Sequence, residues 1–342
     1  MGNSMAGDRG RKNRVAFTGS LRRRTMSRVI PREIRIMPPI AFQGVYPILA
    51  TPFHDGETLD LESLDRLIRF MARASVDGVT VLGVLGEANR MLDSEREQVI
   101  RTAVKAAEGR MPVIVGTSHS GTRAALGLSQ MAQQLGAQAV MVTPHAEAVP
   151  SDERVFEYYH TIAGGIRIPI VLQDHPASTG VHLGVPLLLR LVAELPGIAA
   201  LKEEAVPTAP KIRALAQGVT SRRVPILTGL GALYAQFDLE AGSAGFNTGF
   251  AFPEALMAMV KAARSGDWGT VRALYTRFLP LIVFEQQPGV AVRKEILRMR
   301  GLIASGRVRH PGSGLNPDAA KQLRALLDRT LPGVDMTRPL VI

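Results

Sequence analysis

Two runs, Ile168-Pro-Ile-Val-Leu-Gln173 and Ile198-Ala-Ala-Leu-Lys202, decide the fold. Each is short, apolar and β-branched or small, and ends on a polar residue. Between them residues 184–193 carry leucines at helical spacing. Strand, helix and strand in under 40 residues is a βαβ unit, and its nearly continuous apolar strands are those of a parallel sheet covered on both faces.

Working outward, the same unit recurs. Strand-like runs occupy residues 44–50, 79–83, 112–116, 139–143, 168–173, 198–202, 224–228 and 244–248. Helical patterns separate them at 61–74, 93–108, 122–135, 152–163, 184–193, 207–216 and 233–241. Eight strands with seven helices between them predict a (βα)8 TIM barrel. An open doubly wound sheet is the alternative, but its Gly-rich phosphate-binding first turn is absent. Further helices at 254–265, 267–284, 289–300 and 317–331 complete the barrel and add a C-terminal helical extension. The expected organisation is a basic, disordered arm over 1–40, the barrel over 41–265 and a helical region over 266–342.

Composition narrows the function. The 342 residues are 46% hydrophobic and 21% charged, with no cysteine, which removes disulfides and thiolate chemistry. The net charge of +11 invites a nucleic-acid reading. However, ten Lys/Arg against Asp8 and Glu33 put +8 into residues 1–40, leaving +3 for the rest. The basicity belongs to the arm, so nucleic acid is not an expected partner of the barrel. That arm reads as a disordered segment or an over-extended start, with an organellar targeting segment as the alternative. No run of about 18 apolar residues occurs, so no membrane partner is expected. A cytoplasmic location fits this composition.

Barrel active sites sit at the C-terminal ends of the strands. The residues there are Thr51, Gly86-Glu87, His119, His145, Gln173-Asp174-His175, Lys202-Glu203-Glu204, Gly229 and Thr248. Lys202 is the unusual one, since burial disfavours its ammonium form and a neutral amine attacks carbonyl carbon. An ordinary strand end snorkelling to water is the alternative. Three rim histidines make a zinc site conceivable, but their spacing matches no metal motif.

Five motifs in order carry a resemblance: Thr51-Pro52-Phe53, Gly83-x-x-Gly86-Glu87, Val142-Thr143-Pro144, Pro176-x-x-Thr179-Gly180 and Leu201-Lys202-Glu203. Over about residues 42–300 the chain resembles the dihydrodipicolinate synthase and N-acetylneuraminate lyase superfamily of Schiff-base-forming aldolases, as a divergent member. The resemblance implies that Lys202 forms an imine with a 2-oxo acid, pyruvate or a derivative. It implies no metal or organic cofactor, because the imine is the electron sink. It also implies a homodimer or homotetramer.

The departures limit that reading. Val84 and Leu85 stand where the family's Thr/Ser pair binds the substrate carboxylate, which suggests a less polar substrate. Ala146 stands in the aligned place of a proton-relaying tyrosine, and Ser178 in that of an arginine. Gln173-Asp174 replaces the usual Tyr-Asn. His145 and Glu204, the latter two residues beyond Lys202 on the same strand face, are the acid/base candidates. Thr51, Val84, Leu85, Gln173, Asp174, Ser178 and Thr248 are the expected substrate contacts. The expected activity is a Schiff-base aldolase or hydro-lyase other than the lysine-biosynthesis enzyme, with a non-catalytic 2-oxo-acid or sugar-acid binder as the alternative.

Overall fold

The computed structural model describes residues 39–147, 151–287 and 289–342. Apart from residues 39 and 40, the expected basic arm lies outside them. Eight strands follow in order: β1 (Gly44–Val45), β2 (Val79–Val81), β3 (Val113–Gly116), β4 (Ala139–Val142), β5 (Ile170–Asp174), β6 (Ile198–Glu203), β7 (Ile226–Thr228) and β8 (Gly245–Phe246). Neighbours pair in parallel in the order β1-β8-β7-β6-β5-β4-β3-β2, and an Ile48–Thr80 bridge joins the first and second strands to close the ring. The (βα)8 barrel expected from the periodicity is the fold.

The helices are α1 (Leu61–Ala74), α2 (Asp93–Ala107), α3 (Thr122–Gln134), α4 (Asp152–Gly165), α5 (Pro176–Thr179), α6 (Val185–Glu194), α7 (Thr208–Gln217), α8 (Ala235–Glu240) and α9 (Pro253–Arg264). Three more follow, α10 (Trp268–Phe284), α11 (Val290–Met299) and α12 (Pro317–Thr330). Their starts follow local chemistry. Asp60, Ser151, Asp267 and Asn316 each accept a first-turn backbone N–H, as N-cap side chains do. The four-residue α5 is too short for the apolar period to register it.

Alternation divides each strand's side chains. Tyr46, Ile48, Ile114, Ala139, Met141, Val171, Ala200 and Leu227 fill the barrel interior. Residues such as Val113, Val140, Ile170, Leu172, Ile198 and Leu201 pack outward under the helices. A second apolar cluster ties β8 and α8 to α9 through α12. Two buried ion pairs fasten α11 and the residue that ends it to the barrel. Lys294 reaches Glu87, behind the second strand, at 2.5 Å, and Arg300 reaches Glu254 of α9 at 2.6 Å. Among the described residues no helix is long and apolar enough to cross a membrane.

Candidate active site

The register builds the site. Gln173 lies beside Lys202 across β5 and β6, and Asp174 lies beside Glu203. Val171 and Ala200 face the interior, so Gln173 and Lys202, two residues further along, face it as well. Asp174 and Glu203 point the other way.

Lys202 is 2% exposed, and its Nζ lies 3.0 Å from Glu204 Oε2. Gln173 Nε2 donates to the same oxygen at 2.7 Å, and the Leu230 N–H donates to Oε1 at 2.9 Å. The turn after β7 fits around this carboxylate because residue 229 is glycine. A Cβ there would collide with the Glu204 side chain. Burial, the largest influence, holds Lys202 below the ordinary lysine range, and Glu204 opposes it. Burial also pushes Glu204 upward, but Lys202, His175, the Leu230 N–H and Gln173 together hold it below the usual carboxylate range. The result is an ionised carboxylate touching a lysine that gives up its proton more readily than usual. That pair is equipped to form and stabilise an iminium.

His175 follows Gln173 by two residues and is half-buried at the entry to α5. Burial lowers its pKa, with Glu204, Lys202 and Asp174 acting on it in that order. Ser178 Oγ lies 2.7 Å from its Nδ1.

Other expected contacts are placed differently. Asp174, expected to touch substrate, faces outward and pairs with Lys211 of α7, which also lies 3.5 Å from Glu203. The reason is strand alternation, since its neighbour Gln173 takes the inward place. Burial raises Asp174, with Lys211 opposing. Burial and then the charge of Asp174 push Glu203 up to about 8. His145 is exposed on the loop after β4, and the charge that acts on it is His119 rather than the lysine pair. Thr51 is buried with its hydroxyl donating to the Gly86 carbonyl at 2.7 Å, so it holds the turn after β2. Thr248 accepts the Gly231 N–H at 2.8 Å and braces the turn after β7. Ser178 is exposed and turned toward His175. Val84 is exposed, while Leu85 packs against the barrel-interior cluster, beside Gly249. Among the described residues no group of three or more His, Asp or Glu is arranged to hold a metal ion.

Three features went unread in the sequence: the Asp174–Glu203–Lys211 cluster, the turn at Gly229-Leu230, and the place of His175 beside the lysine pair. Only the last had a signal. The alternation that pairs Glu204 with Lys202 also pairs His175 with Gln173.

Comparison with known proteins identifies the family. The model of the dihydrodipicolinate synthetase family matches residues 41–330. L-2-keto-3-deoxyarabonate dehydratase of Azospirillum brasilense is 38% identical over 85% of this chain and 95% of its own. 4-Hydroxy-tetrahydrodipicolinate synthase of Persephonella marina is 29% identical over 84% and 97%. Dihydrodipicolinate synthase from Rhodopseudomonas palustris superposes with a TM-score of 0.81 at 35% identity, covering 86% of this chain and 99% of that one. A prophage protein of the same family from E. coli K12, solved with pyruvate, gives a TM-score of 0.78 at 28% identity over 84% and 98%. The chain belongs to the dihydrodipicolinate synthetase family and is an enzyme of it, a lyase that acts on a 2-oxo acid through a lysine imine.

Proposed function

We propose that the protein is a hydro-lyase that removes water from a 2-keto-3-deoxy sugar acid, with Lys202 as the imine-forming lysine. The observation that carries this reading is the Glu204 carboxylate 3.0 Å from Lys202 Nζ, held by Gln173 and the Leu230 N–H. A fixed negative charge there stabilises the iminium and the transition states leading to it. Attack of the neutral amine on the 2-oxo carbon gives a carbinolamine, whose loss of water gives the iminium. The iminium acidifies C3–H, and loss of that proton followed by departure of the C4 hydroxyl completes the elimination. Hydrolysis then frees Lys202.

The substrate class is supported by the 38% identity to the Azospirillum dehydratase. A dicarboxylic product of the synthase kind is disfavoured, because exposed Ser178 offers no guanidinium for a second carboxylate. The less polar substrate expected from Val84 and Leu85 is set aside, because Leu85 is spent on packing. We further take the enzyme to be a cytoplasmic homodimer or homotetramer, on the family resemblance, and light scattering tests the assembly.

The experiment supplies L-2-keto-3-deoxyarabonate and follows products by mass, with borohydride trapping of the covalent intermediate. Loss of one water, and a trapped adduct that disappears in Lys202→Ala, is the expected result. Release of pyruvate without dehydration would replace the hydro-lyase reading with an aldolase.

A further inference from the structure

We propose that His175 is the proton shuttle of the elimination, taking a proton from the carbon beside the imine and returning it to the departing hydroxyl. This assignment rests on the imine reading of Lys202 above. Gln173 is anchored inward by its 2.7 Å bond to Glu204, and alternation carries His175 to the same side two residues on. The charged groups that act on the ring are Glu204 and Lys202 from β6 and its end, and Asp174 from β5.

The role requires one tautomer, and the contacts accommodate it. With the Ser178 hydroxyl donating to the His175 carbonyl at 3.3 Å, its oxygen accepts Nδ1–H at 2.7 Å. Nε2 is then the bare lone pair. Burial keeps the ring neutral at neutral pH, and a neutral Nε2 is a base. The charge that acts on His145 is instead that of His119. Tyr158 of α4 donates its hydroxyl to the His119 carbonyl at 3.1 Å.

The steps balance. Nε2 accepts the C3 proton as the C–H electrons move into the iminium, giving an enamine and an imidazolium. The enamine electrons then form the C3–C4 double bond and expel the C4 oxygen. Nε2–H protonates that oxygen, and water leaves. One proton and one hydroxyl depart, His175 ends neutral, and nothing is oxidised or reduced. Glu204 stays ionised and opposes both transient cations.

Pyruvate in D2O isolates the first step, because its imine loses methyl protons but has no hydroxyl to expel. Methyl exchange is read by NMR, and adduct formation by borohydride trapping. His175→Gln should still form the adduct while exchange falls ~100-fold or more, and His145→Gln should exchange like the wild type. Exchange by His175→Gln at close to the wild-type rate overturns the proposal. So does loss of exchange in His145→Gln alone. If His175→Gln does not fold, the wild-type pH profile decides. Exchange should fall with acidification through a titration below the ordinary histidine value, and exchange that does not fall on acidification down to the pH at which the protein unfolds overturns the assignment. An enzyme that exchanges pyruvate through His175 yet dehydrates no 2-keto-3-deoxy acid refutes the substrate class and upholds the role of His175.

Discussion

Lys202→Met tests whether the lysine and Glu204 are one electrostatic unit. At 3.0 Å and an effective dielectric of ~20, their attraction is about 5 kcal/mol. Most of it is offset by the cost of burying two ions, so the intact pair is close to neutral for stability. Removing the lysine leaves Glu204 buried and charged, which costs about 3–5 kcal/mol. Gln173 and the Leu230 N–H still solvate the carboxylate, so the low end, about 3 kcal/mol, is the expectation. At about 2 °C per kcal/mol for a chain of this size, Tm should drop by ~6 °C. Adding Glu204→Gln removes the stranded charge. The amide introduced there can keep the Leu230 N–H through its oxygen, and Gln173 can turn its own amide to match. The double variant should therefore recover most of the loss. The deficit of Lys202→Met should also shrink as pH falls, because the stranded carboxyl can then take up a proton. The assay is thermal unfolding of wild type, both single variants and the double variant at one protein concentration. A double variant no more stable than Lys202→Met, or a deficit that grows with acidification, would refute the reasoning.

The remaining predictions concern the surroundings of that pair. Gly229→Ala should cut turnover by ~100-fold, because its Cβ collides with Glu204, and steady-state kinetics beside a circular dichroism check of folding test it. Glu203 has a folded-state pKa of about 8, above its ordinary value, so the stability it contributes is full at acidic pH and is lost as pH rises towards 8. Glu203→Gln escapes that loss, and its Tm relative to wild type should climb between about pH 5 and 9. Glu87→Gln strands buried Lys294 and weakens the Arg90 contact. It should cost ~3 kcal/mol, whereas Lys294→Met leaves Glu87 with Arg90 and the Arg309 N–H and should cost less, as denaturant melts would show.

The barrel was legible because it is written in local periods. Apolar runs such as 168–173 and 198–202 are continuous since both faces of a parallel strand are covered. The helix over 61–74 shows its 3.6-residue spacing because one stripe packs inward. Lys202 and Glu204 were legible for a related reason: position along a strand fixes which face a side chain occupies, and two residues apart is the same face.

What tertiary structure alone decided is which partners meet. Asp174 and Gln173 are neighbours in sequence, yet the phase of the pleat sends one to Lys211 and the other to Glu204. That phase depends on the register with β6. Thr51 and Thr248 read as substrate contacts, and the fold also bonds each hydroxyl to a backbone group, 35 and 17 residues away. His145 and His175 are equivalent as residues at strand ends. Only the fold exposes the first and sets the second among Glu204, Lys202 and Asp174. Side-chain chemistry and the two-residue alternation along a strand are properties of the chain, so the sequence by itself determined the barrel and put the lysine and its companion carboxylate on one face. Distances between strands are properties of closure, so the hydrogen-bond partners waited for the structure.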